Sequence, residues 1–164
     1  LFKKINTLLE KKGYKIIGAS EIAPNLTLHC GLYSSKKVSK KEFENIRRAK
    51  YCAEMTGILD IGQAVVVKNG RVVAIEAAEG TDAMLERVAT IAGINSSRGG
   101  VFLKSAQIDQ DERVDMPTIG IETIKNIIKA NLSGVAITAN NVIVLDFQRV
   151  VEMIEESNLY FLVI

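Results

Sequence analysis

Two β-branched runs, Gln63–Lys68 (QAVVVK) and Arg71–Ala77 (RVVAIEA), are separated only by Asn69-Gly70. Asn and Gly both accept positive φ, which a two-residue reverse turn between antiparallel strands requires. An antiparallel pair is therefore built into whatever sheet this chain forms. Helix-like and strand-like segments alternate around it. Ser39 can cap a helix over 40–55, with Glu42 three residues on in the capping-box position, and Phe43, Ile46, Ala49 and Ala53 recur near helical spacing before Gly57. Gly80-Thr81-Asp82 opens a helix over 83–92, 95–100 reads as a loop, and Val101–Lys104 as a strand. Ile121–Asn131 puts Ile121, Ile124, Ile127 and Ile128 on one helical face. Gly134–Thr138 and Val142–Asp146 read as strands around a second turn pair, Asn140-Asn141. A helix over Phe147–Ser157 and a strand over Tyr160–Ile164 close the chain. The expected fold is a single compact α/β domain with a mixed sheet, two hairpins and alternating helices.

Upstream, Ile5–Lys12 reads as the end of a helix closed by Gly13, and Tyr14–Ala19 as a short buried strand. A helix followed by a strand is the closing piece of an α/β unit, and nothing before it completes that unit. Residues 1–30 are thus expected to be the remnant of an N-terminal domain, 31–39 a polar linker, and 40–164 the main domain. The 164 residues suffice for a core without staples, and with 5% aromatics and no Trp that core must be aliphatic. A net charge of +2 is too small to indicate a nucleic-acid partner. Cys30 and Cys52 lack metal-ligand spacing and read as free thiols of a reducing compartment. No apolar run nears the ~20 residues that span a bilayer. The start has neither an initiator Met nor a signal-peptide core, so it reads as that of a trimmed fragment of a cytosolic protein.

Candidate chemistry lies in two stretches. Asp109–Gly120 (DQDERVDMPTIG) holds Asp109, Asp111, Glu112 and Asp115 with Arg113, in a loop after a strand. Carboxylate oxygens suit Mg²⁺ or Mn²⁺, and such an ion can neutralise phosphate and activate water. By composition alone the run reads first as a solvated acidic loop. Its flanks add Lys104 and a helix N-terminus after Pro117-Thr118-Ile119-Gly120, whose free N–H groups favour phosphate, although Thr118 serves equally as an ordinary cap. The second stretch, Glu76–Asp82 (EAAEGTD), lies between a hairpin strand and a helix. There Gly80 would let backbone approach a ligand, while Thr81 and Asp82 could cap the helix. It gains a functional meaning if both loops share one sheet edge. His29, the single histidine, sits beside Cys30, where adjacent residues rarely meet in a nucleophile–base geometry. The basic run from Lys36 to Arg48 reads as a solvated face that could also lean on anionic lipid headgroups.

These stretches together resemble one family. Leu59–Val67 (LDIGQAVVV), the hairpin to Glu76, Glu79–Leu85 (EGTDAML), Gly99-Gly100-Val101 through Lys104, then Gln110-Asp111, Arg113, Asp115 and Pro117–Gly120 are similar, in order and spacing, to the UDP-2,3-diacylglucosamine hydrolase of lipid A biosynthesis, the type unrelated to calcineurin-like metallophosphoesterases. The similarity covers about 40–164, with 1–30 like the end of the family's N-terminal domain. It implies Mg²⁺-dependent hydrolysis (Mn²⁺ as an alternative ion) of the substrate pyrophosphate to UMP and 2,3-diacylglucosamine 1-phosphate. It also implies a ligand site between the two domains. In site terms it implies Asp111 as the catalytic acid position with Asp115 its rival, both as metal ligands, and Gly80, Thr81, Asp82, Lys104, Arg113 and Thr118 as substrate contacts. The family commonly carries Lys and Gly where this chain has Gln107 and Asp109. The expected partners are the glycolipid nucleotide and the inner face of the inner membrane, touched peripherally from the cytoplasm. Two other readings stand beside this one: a non-catalytic lipid- or nucleotide-binding module, and an interaction domain that forms a homodimer through its hairpins.

Overall fold

The structure, a computed structural model, describes residues 2–91, 97–107, 113 and 115–164, with the side chains of 2–4 excepted. Its helices are α1 (Phe2–Lys11), α2 (Ala19–Ile22), α3 (Lys40–Ile58), α4 (Gly80–Thr90), α5 (Ile121–Lys129) and α6 (Phe147–Glu156). The strands are β1 (Gly31–Leu32), β2 (Ala64–Lys68), β3 (Arg71–Ile75), β4 (Val101–Lys104), β5 (Thr118–Ile119), β6 (Gly134–Ile137), β7 (Ile143–Val144) and β8 (Tyr160–Val163). None of the helices among the described residues is long and apolar enough to cross a membrane.

A six-stranded sheet in the order β1-β8-β6-β4-β2-β3 carries the fold. Strands β4, β6 and β8 are mutually parallel, whereas β2 runs antiparallel to both β3 and β4, and β1 antiparallel to β8. The sheet is mixed, as the Asn69-Gly70 pair requires: both residues take positive φ, 52° and 73°, and Lys68 faces Arg71 across the turn.

The second expected hairpin is not formed. Asn140 does turn the chain, at φ 64°, but β6 lies between β4 and β8 with both edges occupied. Strand β7 pairs instead with β5, in parallel, as a separate two-stranded sheet. Tyr14–Ala19 also departs from expectation. It forms no strand, α2 begins at Ala19, and Tyr14 and Ile17 are exposed rather than packed in a sheet. Within the polar stretch 31–39, Gly31 and Leu32 pair with Val163 and Leu162 as an edge strand.

Apolar side chains leave both faces of the sheet. Phe102, Val135 and Phe161 pack with Met84 and Leu85 of α4, Ile124 and Ile127 of α5, and Val150 and Ile154 of α6. On the opposite face, Val65, Val101, Leu103 and Tyr160 pack against Ile46, Ala49 and Ala53 of α3. The result is a helix–sheet–helix sandwich with an aliphatic core, since central strands buried on both sides read as continuous apolar runs. Glycine permits one close approach here. A Cβ on Gly134 would lie 2.5 Å from the ring of Tyr160 on the neighbouring strand.

At the amino ends of the parallel strands, α3 is tied to the sheet by buried polar groups. Ser39 caps α3 by accepting from the Glu42 N–H at 3.2 Å. The Glu42 carboxylate turns inward rather than back to Ser39. It accepts from the Gly100 N–H (3.0 Å), Asn45 Nδ2 (2.9 Å) and the Tyr160 hydroxyl (3.4 Å). Burial first, and the negative charge of Glu42 second, push the Tyr160 hydroxyl pKa well above its ordinary value. A pKa raised on folding gives a contribution that is complete below the unfolded tyrosine value of about 10 and is lost as pH rises beyond it. Tyr160→Phe is therefore expected to lose about 1 kcal/mol near neutrality. Above about pH 10 the variant should destabilise less steeply than the parent. Urea melts from pH 7 to pH 11 check both statements.

Candidate functional site

The carboxyl ends of β4, β6 and β8 share one edge of the sheet, the position where α/β proteins bind ligands. Strand β2 begins at the same edge, with Ala64 opposite Lys104, and β3 ends there, so that Glu76 follows directly. The edge is closed by backbone contacts: Ser105 N–H donates to Gln63 O (2.9 Å) and Thr138 N–H to Lys104 O (3.2 Å).

Lys104 is the centre of this edge. Strand alternation sends Val101 and Leu103 toward α3, and Phe102 and Lys104 toward α4. Its ammonium is buried, the side chain only 7% exposed, and donates to Thr81 Oγ1 at 2.5 Å. Thr81 in turn donates to Glu76 Oε1 at 2.8 Å. Glu76 Oε2 stands 3.7 Å from the ammonium, an ion-pair distance rather than a hydrogen bond, and has no hydrogen-bond donor among the described residues. Burial pulls the Lys104 pKa below its ordinary value, while Glu76 and then Asp82 oppose that shift. Asp82 is held in turn by Asn126 of α5, whose Nδ2 donates to Oδ1 at 3.1 Å.

Gly80, Thr81, Asp82 and Lys104 are thus gathered in one place. Gly80 is required there by conformation rather than by crowding: its φ is +80°, and a Cβ would meet nothing within 4 Å. The other expected site residues lie elsewhere or outside the described residues. Thr118 donates to Met116 O (3.2 Å) and lines a separate hollow of about 320 Å³ with Gly120–Thr123, Leu145 and Asp146. Arg113 Nη1 donates to Glu10 Oε1 of α1 at 2.8 Å in an exposed ion pair. Asp115 is exposed, and no hydrogen bond or ion pair among the described residues joins it to Lys104 or Glu76. Asp111, with Asp109 and Glu112, lies outside the described residues. His29 and Cys30 are both exposed, and the His29 carbonyl accepts from the Tyr33 hydroxyl at 3.0 Å.

Two groups beside Lys104 carry no motif in the sequence. Asn126 is one polar residue among several in α5, and its sequence does not mark it out as the partner of Asp82. Thr138 and Asn141 look like part of a turn, yet Thr138 Oγ1 donates to Asn141 Oδ1 (2.7 Å) and lies 3.4 Å from Ser105 Oγ, next to Lys104. Only the alignment of β4 with β6 brings them together.

The family model for the LpxI C-terminal domain matches residues 29–162. The chain belongs to this family. The matched segment opens just before β1 and takes in the whole site edge: Glu76, Thr81, Asp82, Lys104 and the loop beyond it. Among curated proteins, the chain is 37% identical over 166 residues to the UDP-2,3-diacylglucosamine pyrophosphatase LpxI of Caulobacter vibrioides. That alignment covers 99% of this chain and 59% of the relative, so the chain spans little more than half the length of the protein it matches.

The described residues do not by themselves fit a Mg²⁺ site. No group of three or more potential ligands occurs among them. The two acids at the LpxI-family site edge are already engaged, Glu76 with Thr81 and Lys104, and Asp82 with Asn126. The acidic run that contains Asp111 and Asp115 carries further carboxylates, the kind of oxygen ligand a hard cation takes.

Proposed function

We propose that the protein carrying this chain hydrolyses the pyrophosphate bond of UDP-2,3-diacylglucosamine, releasing UMP and 2,3-diacylglucosamine 1-phosphate for lipid A synthesis. The observation that carries the proposal is the buried Lys104 ammonium at the carboxyl edge of the sheet, in a chain of the LpxI family. The relative's printed activity supplies the substrate. Phosphoanhydride hydrolysis needs positive charge fixed where negative charge develops, and a buried ammonium with an ordered partner supplies it. Lys104 binds and orients a phosphate oxygen, and Thr81 holds that ammonium in direction. Gly80 and Asp82 shape the rim at the start of α4. Arg113 and Thr118 are assigned to further substrate contacts, in which Arg113 would exchange Glu10 for phosphate. Asp111 and Asp115 are the proposed catalytic pair and the proposed ligands for Mg²⁺, or for Mn²⁺ in its place. When bound, the ion would neutralise phosphate charge and lower the pKa of water.

The acyl chains of the proposed substrate support peripheral membrane contact, assigned in this reading to the cytoplasmic face of the inner membrane. Residues 1–30 would then be the end of an N-terminal domain that supplies the other wall of the ligand site. A homodimer through the exposed edge of β3 is compatible with this arrangement.

The test is UMP release by the intact protein. Asp111→Ala is expected to abolish Mg²⁺-dependent turnover, a loss of 10³-fold or more on the order of other catalytic-group deletions, with the thermal melt unchanged. Asp115→Ala should lower turnover and raise the Mg²⁺ requirement. Product binding that needs no metal and is accompanied by no turnover would favour the binding module instead.

A further inference from the structure

We infer that Glu76 is the positioning residue of the Lys104 site: it fixes the direction of the Thr81 hydroxyl and holds the Lys104 ammonium in its charged, phosphate-binding form. The inference rests on the reading of Lys104 as a phosphate contact and adds a residue to it. Thr81 has one proton, and that proton goes to Glu76 Oε1 at 2.8 Å. The hydroxyl oxygen is thereby left as an acceptor, and it receives the Lys104 ammonium at 2.5 Å. One of the three ammonium protons is used in this way, and among the described residues no hydrogen bond takes the other two, which leaves them for a ligand.

Glu76 Oε2 is the second observation. It is a buried carboxylate oxygen 3.7 Å from Lys104 Nζ with no hydrogen-bond donor among the described residues. A buried polar oxygen left without a donor opposes folding, and its evident return is the negative charge it places beside the ammonium. The neighbouring elements cannot substitute for it. Across β2 and β6 the partners of Lys104 are Ala64 and Ile137, and α3 packs the opposite face of the sheet with Ala49 and Ala53. Among the described residues the only other charge acting on Lys104 is Asp82 of α4, which Asn126 already holds.

Three variants of the intact protein separate charge from geometry. Glu76→Gln keeps the shape and an acceptor for Thr81 but removes the charge. It is expected to lower kcat at least 10-fold and to move the alkaline fall in activity to lower pH by about one unit, because a lysine that loses its counter-charge deprotonates sooner. Thr81→Val should lower kcat while leaving that alkaline fall near its original pH. Lys104→Arg should push the fall upward or remove it, since guanidinium stays protonated. In parallel, the Lys104 pKa is read directly from a 13Cε-lysine titration followed by NMR, which needs no substrate.

An unchanged Lys104 titration in Glu76→Gln overturns the inference, as does an alkaline fall that Lys104→Arg leaves in place. If Glu76→Gln does not fold, Glu76→Asp decides: it keeps the charge but draws the carboxylate back from Thr81, so kcat should fall while the Lys104 titration stays near the parental one, and parental kcat overturns the inference. If the parent protein titrates as expected but releases no UMP, the proposed function fails while the pairing of Glu76 with Lys104 stands.

Discussion

Gly62→Ala is expected to destabilise the protein by about 3 kcal/mol, at the upper end of overpacking costs, and to disable the site in whatever fraction still folds. Gly62 lies where the chain after β3 crosses the entry to β2. A Cβ there would fall 2.0 Å from the Glu76 carbonyl oxygen and 2.7 Å from its carbon. Both are backbone atoms, so no rotamer change can relieve the contact, and the Glu76 backbone must move by more than an ångström. That backbone is itself paired, its N–H donating to Ala64 O at 2.8 Å. Moving it opens the edge beside Ala64, the residue directly across from Lys104, and takes the carboxylate away from Thr81 and the ammonium. Gly134→Ala is the control. It clashes with Tyr160 at 2.5 Å, at the opposite end of the strands, and should cost comparable stability. Its folded fraction, however, should keep the parental KM and kcat. Chemical denaturation combined with active-fraction titration distinguishes the two.

Lys104→Met carries the second large effect. The side chain keeps its shape as far as Cε and loses the ammonium, so any phosphate held there loses a fixed donor in a buried site. Removal of one preorganised donor of this kind typically costs about 10²–10³ in kcat. Stability should fall as well, because Glu76 would then be a buried carboxylate without a counter-ion, and stranding one partner of a buried pair commonly costs about 3–5 kcal/mol. The pair should therefore couple. Lys104→Met with Glu76→Gln is expected to regain a large part of the lost stability while activity stays absent. A double-mutant cycle on the unfolding free energy measures this coupling, and additive losses would mean that the two side chains do not interact.

The parts of the fold legible in the sequence are those set by local chemistry. The Asn69-Gly70 turn, the Ser39 cap and the isoleucine spacing of α5 each determine their own element, and each appears in the structure. The second hairpin is not legible there, because Asn140-Asn141 reports a turn but not the fate of the strand beyond it. That fate depends on which edges of β6 remain open, and β4 and β8 fill both. Tyr14–Ala19 is a related case, since an apolar run becomes a strand only where a sheet edge receives it.

The site divides in the same way. Thr81, Asp82 and Lys104 belong to motifs and could be singled out. The link from Glu76 through Thr81 to Lys104 joins β3, α4 and β4, and Asn126 supports it from α5. Such contacts come from sheet order, which no local pattern encodes. Glu76 was visible as part of an acidic stretch, but its burial, which gives it a role, was not.

The most direct measurement of the central claim is UMP release from UDP-2,3-diacylglucosamine by the intact protein, with and without Mg²⁺, beside its Lys104→Met variant. The expected result is Mg²⁺-dependent release of equimolar UMP and 2,3-diacylglucosamine 1-phosphate by the parent protein, and at least a 10²-fold loss in a folded Lys104→Met. Parental turnover by Lys104→Met would contradict the assignment of the site to this edge of the sheet, and no UMP from the parent protein would contradict the function.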